Sequence, residues 1–125
     1  MNLFNDVQYF FLGMQWHLGK ENSDCFSTCM RYGLVCSNEQ LQKYNAYVDT
    51  SEQIIELIKH LGGTTSAKFC SDQQQSAGFV PAYNNNSCFQ SQQERDLSTF
   101  DCGEVPKPAN KNIKRICWCH NGKKL

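Results

Sequence analysis

The sequence lacks the features that would assign a membrane or nucleic-acid function directly. It contains no apolar run near the roughly 20 residues that a membrane-spanning helix needs, so no membrane span is predicted. It also lacks an excess of charge, because 12 lysines and arginines balance 12 aspartates and glutamates. A balanced chain has no long-range attraction to nucleic acid or to an anionic membrane, and neither is predicted as a partner.

Catalytic signatures are missing as well. The 125 residues contain no Gly-rich phosphate loop, no Asp-x-Asp pair and no Ser-His-Asp arrangement that spacing could identify. The three histidines, His17, His60 and His120, stand in no motif that would give them a catalytic role. The sequence therefore predicts no catalytic residue, no cofactor and no enzyme.

Cysteine is what the chain has in excess. Eight cysteines in 125 residues are well above what an ordinary cytosolic domain carries, and the even number allows complete pairing. We predict that all eight form disulfides, namely Cys25, Cys29, Cys36, Cys70, Cys88, Cys102, Cys117 and Cys119. This framework predicts a protein that is secreted or that resides in the lumen of the secretory pathway.

Two other uses of these cysteines fit their spacing less well. Zinc sites favour Cys-x-x-Cys pairs, whereas this chain has Cys-x-x-x-Cys, isolated cysteines, and a final Cys-x-Cys followed by His120. A thioredoxin-type redox centre needs Cys-x-x-Cys at the start of a helix, and the sequence has none. Only RICWCH, from Arg115 to His120, looks like a cluster of ligands, and no metal site is predicted.

The first and last pairs of cysteines are predicted to share faces of regular elements. Cys25 and Cys29 are four residues apart in a short helix through CFSTCMRY, which Asp24 can cap. The alternating segment KRICWC predicts a final strand with Cys117 and Cys119 on one face and Trp118 on the other. We expect at least one bridge between these two pairs. The simplest remaining closures join Cys36 to Cys70 and Cys88 to Cys102.

Further helices and a loop-rich second half complete the predicted fold. Ser37 gives a weak capping signal for a helix through LQKYNAY, and Thr50 with Gln53 can form a capping box for an apolar-striped helix that ends at Gly62-Gly63. Residues 64–108 are polar, with short apolar islands and a charged run at Glu94-Arg95-Asp96 that is most simply a solvated turn. The fold class is α+β: a small disulfide-stapled domain with two or three short helices and a few short strands.

The N-terminal segment has an aromatic character. We predict that residues 1–23 form an aromatic segment suited to an interface, ahead of a disulfide-stapled domain at residues 24–125. The segment makes a poor signal peptide, because it contains Asp6 and lacks both a basic start and a small-residue cleavage site. If the chain is exported, we expect either a signal that has been removed or a longer parent protein.

Surface features supply the remaining predicted sites. The sequence contains one clear glycosylation sequon, Asn85-Asn86-Ser87, in a polar run expected to be a loop, so Asn85 is the predicted glycosylation site. Trp118 is either a flat binding platform or the buried cover of the last strand, and a small loop-rich domain favours burial. The candidate binding residues are Trp118, Phe10, Phe11, Trp16 and Tyr83.

The order of the cysteines resembles a known family. DCFSTCMRYGLVC, then Cys70, then PAY followed by Cys88, then FDC and RICWC, resembles the cysteine-rich C-terminal region of the N-acetylglucosaminyltransferase V family, Golgi enzymes that branch N-glycans. The resemblance runs from about Asp24 to Cys119. The chain departs from the family pattern at Trp118, where the family tends to have proline, and in a longer polar insert before Cys70. The nucleotide-sugar-binding portion of those enzymes has no counterpart in this sequence.

This resemblance implies a module and not an activity, because the cysteine-rich segment of those transferases looks like a structural appendage. We therefore predict a non-catalytic, extracellular or lumenal cysteine-rich module that acts in protein assembly or recognition. Its partner is expected to be a protein or the rest of a larger assembly. The alternatives are a glycan-binding module and an accessory fragment of a glycosyltransferase.

Overall fold

The computed structural model describes residues 15–71 and 76–122. The described residues contain three α-helices: α1 (Cys25–Met30), α2 (Asn38–Lys43) and α3 (Ser51–His60). They also contain four strands: β1 (Trp16–Glu21), β2 (Ala82–Tyr83), β3 (Cys88–Phe89) and β4 (Lys114–Trp118). Short 3-10 turns lie at Asn45–Tyr47, Leu97–Thr99 and Ala109–Lys111. This arrangement confirms the predicted α+β class and its loop-rich second half.

The four strands form one antiparallel sheet in the order β1-β4-β2-β3. The last strand of the chain, β4, is an inner strand. On one side Trp118 lies opposite Trp16 of β1, and on the other Arg115 lies opposite Ala82 of β2. The strands β2 and β3 form a short hairpin whose tip is residues 84–87. The end of the described chain therefore joins its first strand to its middle.

Each helix begins at the capping residue that the sequence indicates. The side chain of Asp24 accepts a hydrogen bond from the backbone N–H three residues later, and so does Ser37. Thr50 and Gln53 form a complete capping box ahead of α3. Each such cap contributes about 1 kcal/mol to helix stability. The segment predicted as one helix through LQKYNAY is divided, because α2 ends at Lys43 and a 3-10 turn follows.

Two disulfides join α1 to the last strand and its continuation. Cys25 is bonded to Cys117, and Cys29 to Cys119, with Cα–Cα distances of 5.6 and 5.4 Å. The predicted bridge from helix to strand is therefore confirmed, and it occurs twice. Both bridges lie in the interior, since these four cysteines are fully buried.

The other two expected closures are wrong. Cys36 is bonded to Cys102, and Cys70 to Cys88. The backbone N–H of Cys102 donates to the side-chain oxygen of Asn38, at 3.0 Å, which holds Cys102 beside the start of α2 and so beside Cys36. Local spacing favours near neighbours along the chain, whereas this pair depends on a contact between distant segments.

Residues 16–21, within the predicted N-terminal segment, take part in this fold. Strand β1 is part of the sheet, and Trp16 is a core residue. The edge of β4 that faces away from β2 has backbone groups that need partners, and β1 pairs with them within the stapled domain. The interface predicted for Phe10 and Phe11 falls outside the described residues.

The core surrounds these bridges and covers the apolar stripe of α3. Ile54, Leu57 and Ile58 are almost fully buried, and each aliphatic side chain buried in this way contributes about 2 kcal/mol. A second, smaller cluster forms beside β2, from Phe79, Val80, Ala82 and Ile113. Cross-links compensate for this modest core, because a domain of this size buries limited apolar area.

We predict that the two bridges of α1 stabilise the fold non-additively. They close nearly the same loop, with separations of 92 and 90 residues, so that either one alone holds the ends of the unfolded chain together. Replacing Cys25 and Cys117 by alanine should lower the free energy of unfolding by about 2 kcal/mol, and replacing all four cysteines by about 7 kcal/mol. Urea unfolding measures both. The prediction would be contradicted if the losses of free energy for the two separate pairs added up to the loss for the variant that lacks all four cysteines.

Candidate functional site

Three of the predicted binding aromatics are buried. Trp118 is 4% exposed, and Trp16 and Tyr83 are less exposed still. The ring of Trp118 stacks on Tyr44, with centroids 3.9 Å apart, and meets Trp16 edge-on at 5.2 Å. Trp118 thus covers the back of β4 as core, and it offers no flat platform to a ligand. A glycan-binding function would need another surface.

Four of the seven exposed large apolar side chains of the described residues lie instead along α1 and the turn that follows it. Phe26 is 52% exposed and Met30 is 72% exposed, and they are neighbours because residues four apart meet on a helix surface. Tyr32 and Val35 continue the exposed apolar surface after the helix. These four residues are called the α1 patch.

Disulfides, a ring stack and backbone hydrogen bonds fix the α1 patch to the rest of the domain. The opposite side of α1 carries the two cystines to β4. The ring of Tyr32 stacks on His17 of β1, with centroids 3.9 Å apart. Val35 exchanges two backbone hydrogen bonds with His120, at 2.7 and 2.9 Å. A surface fixed in this way loses little conformational entropy when it binds, which favours affinity.

A groove of about 710 Å³ lies between the segment before Ser71 and the hairpin of β2 and β3. Phe69, on its wall, is 75% exposed. The sequon residue Asn85 lies next to the groove, at the exposed tip of the hairpin, so the expectation of a surface loop is met. The groove is lined by Ser66, Ala67, Lys68, Phe69, Cys70, Ser71, Asn86, Ser87, Cys88 and Phe89.

A polar cleft of about 590 Å³ lies beside α2, but its amides serve the fold. The side-chain amide of Gln42 donates to the carbonyl of Arg95, and that of Asn45 to the carbonyl of Gln92. Burial raises the pKa of the Asp49 carboxyl in this cleft above its usual value, while a backbone hydrogen bond opposes the shift. The cleft thus fastens α2 to residues 92–95.

Arg95 is buried, which corrects the expectation of a solvated turn at residues 94–96. Its five N–H donors all find acceptors, and its guanidinium carbon lies 3.9 Å from the centroid of the Phe100 ring. Burial lowers the pKa of Arg95 to about 10, and Glu104 opposes the shift. The acceptors are Val80 O, Ala77 O, Thr99 O, Thr99 Oγ1 and Ser91 Oγ, at 2.7 to 3.1 Å. No sequence pattern indicates this role.

Arg115, in the RICWC segment, is the second buried arginine. Its Nη1 donates to the carbonyls of Asp101 and Glu104, at 2.7 and 2.8 Å. Burial lowers the pKa of Arg115 to about 10 as well, and the nearby carboxylates, Asp101 first among them, oppose the shift. Both arginines therefore organise loops. Arg95 lines the polar cleft with all of its donors in use, and the Nε of Arg115 is buried without a hydrogen-bond partner among the described residues.

Metal binding finds no support among the described residues. Within residues 15–71 and 76–122, no group of three His, Cys, Asp or Glu side chains could hold a metal ion. Cys117 and Cys119 are disulfide-bonded, so RICWCH lacks the thiolates that a zinc cluster would use. No described helix is long and apolar enough to cross a membrane.

Comparison with known proteins assigns no family. No protein-family model matches the chain, and no curated protein is significantly similar to it.

We predict that Trp118→Ala lowers the free energy of unfolding by about 3 to 5 kcal/mol, because it removes a buried ring between Tyr44 and Trp16. The matched control is Phe69→Ala, which removes an exposed ring and should change stability by less than about 0.5 kcal/mol. Urea unfolding of the oxidised proteins, made in a host that does not glycosylate them, gives both values. Similar small losses for the two variants would show that Trp118 is not a core residue.

We also predict that Arg95→Lys costs about 3 kcal/mol, although it keeps the charge. Lysine cannot reproduce the planar fork that satisfies five acceptors, so buried carbonyls lose their partners. Arg31→Lys, at an exposed position, is the control and should be neutral. Thermal or urea unfolding distinguishes the two, and equal stability of both variants would refute the structural role of Arg95.

Proposed function

We propose that this protein is a non-catalytic, disulfide-stapled module of the extracellular space or of the secretory-pathway lumen, and that it binds another protein through the α1 patch. The observation that carries the proposal is the exposure of Phe26, Met30 and Tyr32 on a cross-linked support. Four intramolecular disulfides are typical of proteins in these compartments.

The composition of the α1 patch suits a protein interface. Aromatic residues and methionine are enriched at the centres of interfaces, and a soluble domain seldom exposes several large apolar side chains side by side without a use for them. The Arg31 guanidinium lies 6.0 Å from the centroid of the Tyr32 ring and provides a charged rim. The chain at Gly103 passes beside the Phe26 ring, which gives the patch a second wall.

The unusual titratable groups support a non-catalytic role. The large pKa shifts among the described residues belong to Arg95 and Arg115, whose donors hold backbone carbonyls. Groups of this kind organise a fold and do not perform proton transfer. The resemblance to the cysteine-rich region of the N-acetylglucosaminyltransferase V family supports the same proposal, because that region looks like an appendage of the enzymes that carry it.

Site-specific cross-linking tests the proposal. A photoreactive amino acid at position 30 should give a discrete adduct when the protein is made in secretory cells, since Met30 is 72% exposed in the patch. The same amino acid at the exposed position of Lys59, on α3, is the control and should give no such adduct. With the partner identified from the adduct and purified, Met30→Asp should weaken the complex about tenfold or more, and Lys59→Ala should not.

Two outcomes would contradict the proposal. One is the same pattern of adducts from positions 30 and 59, which would show that contact does not select the α1 patch. The other is an adduct at position 30 whose purified partner binds Met30→Asp as tightly as the unchanged protein. Sedimentation of the purified chain identifies the case in which the partner is a second copy.

A further inference from the structure

The groove beside the hairpin of β2 and β3 contains an exposed aromatic ring that the fold does not explain. Phe69 is the most exposed large apolar side chain of the described residues. It precedes Cys70, whose disulfide to Cys88 ties the groove wall to the hairpin. Covering an exposed apolar ring with another group lowers the free energy, because it removes apolar surface from water.

The sequon lies at the wall of this groove in a fixed conformation. The side-chain oxygen of Asn84 accepts hydrogen bonds from the backbone N–H groups of Asn86 and Ser87, at 3.0 and 2.8 Å. The carbonyl of Asn85 accepts two more, from the N–H and the hydroxyl of Ser66, at 2.7 and 3.0 Å. Ser66 is itself a lining residue of the groove. The position of Asn85 next to the groove is therefore set by hydrogen bonds on both sides.

The carboxamide of Asn85 is accessible, unlike that of Asn84. Asn84 uses its amide nitrogen on the carbonyl of Lys111, at 3.0 Å. The side chain of Asn85 is exposed and makes no hydrogen bond to the described residues, so its Nδ2 is presented to solvent. Glycosylation of a sequon requires such an accessible amide in a surface loop.

We propose that Asn85 carries an N-linked glycan whose first N-acetylated sugars lie in the groove against Phe69. In the transfer, Nδ2 loses one proton and bonds to C1 of the first sugar, while the bond from C1 to the diphosphate of a lipid-linked oligosaccharide breaks and the lipid diphosphate leaves. The inference rests on the lumenal location in the proposed function. It does not depend on the protein partner.

The groove suits the chemistry of such sugars. Its volume of about 710 Å³ lies within the usual range for ligand sites, and it combines the apolar Phe69 and Ala67 with the polar Lys68 and Asn86. An N-acetylated sugar likewise has an apolar ring face and a methyl group beside polar hydroxyls. Aromatic rings contribute large contact areas in such pairs.

The other side of the sequon is a poorer receptor. Asn85 itself lines a cleft of about 100 Å³ with Glu21, Lys111 and Asn112, whereas its neighbours Asn86 and Ser87 line the groove. This volume is below that of usual ligand sites, and its lining lacks an aromatic ring. Sugars in the groove would contact Phe69, whereas sugars in the small cleft would contact Lys111. Variants at these two residues therefore distinguish the two positions.

The test uses the full chain from a eukaryotic secretory host. Peptide mass spectrometry measures occupancy of Asn85, and melting temperatures compare the glycosylated protein with Asn85→Gln. We expect occupancy at Asn85 and a melting temperature about 3 to 5 °C higher with the glycan. In a Phe69→Ala background this difference should fall below about 1 °C. In a Lys111→Ala background, the matched control on the other side, it should persist.

Three results would overturn the inference. The first is an unmodified Asn85 in the secreted protein, which would show that no glycan is attached there. The second result is an occupied Asn85 whose glycan still raises the melting temperature in Phe69→Ala, or fails to raise it only in Lys111→Ala. Either finding would place the sugars away from the groove. Absence of NMR contacts between N-acetyl methyl groups and the Phe69 ring does the same. None of these residues belongs to the α1 patch, so cross-linking at position 30 in the Asn85→Gln protein still tests the proposed function separately.

Discussion

The paired bridges from α1 to the end of β4 are the constraint on which the other parts of the structure depend. Cys25–Cys117 and Cys29–Cys119 place a six-residue helix across the inner strand of the sheet. A helix this short is not stable alone in water, so its existence here follows from the cross-links and the cap at Asp24. Because the cystines occupy its inner side, Phe26 and Met30 face outward. The same constraint thus produces both the fold and its exposed surface.

In the second half of the chain, buried arginines bind backbone carbonyls that helices and strands would pair in a more regular fold. Strands β2 and β3 have two residues each, so few backbone groups there pair in a ladder. Arg95 binds the carbonyls of residues 77, 80 and 99, and Arg115 binds those of residues 101 and 104. Desolvation lowers the pKa of both arginines, because burial disfavours the charged form. The loops that contain residues 77, 80, 99, 101 and 104 are therefore fixed from inside by these two side chains.

Sequence predicted the features that local physics determines. The caps at Asp24, Ser37 and Thr50 depend on a few adjacent residues, and the shared faces of the first and last cysteine pairs depend on helix and strand periods. It did not predict contacts between distant segments, such as Asn38 with Cys102 or β1 with β4. The α1 patch had an available signal: if Cys25 and Cys29 face inward, the next residues, Phe26 and Met30, are turned about 100° away. No sequence signal indicated the burial of Arg95 or the groove at Phe69.

The balance of charge favours a lasting association over a transient encounter at the α1 patch. A chain with zero formal net charge gains little from long-range steering, so its association rate should be ordinary. Affinity must then come from slow dissociation, which depends on burying rigid apolar side chains. Phe26, Met30 and Tyr32 on a disulfide-fixed backbone satisfy this requirement, because little ordering entropy is lost when they are covered. Under the proposed function, these properties favour a subunit within an assembly over a freely diffusing signal that must dissociate quickly.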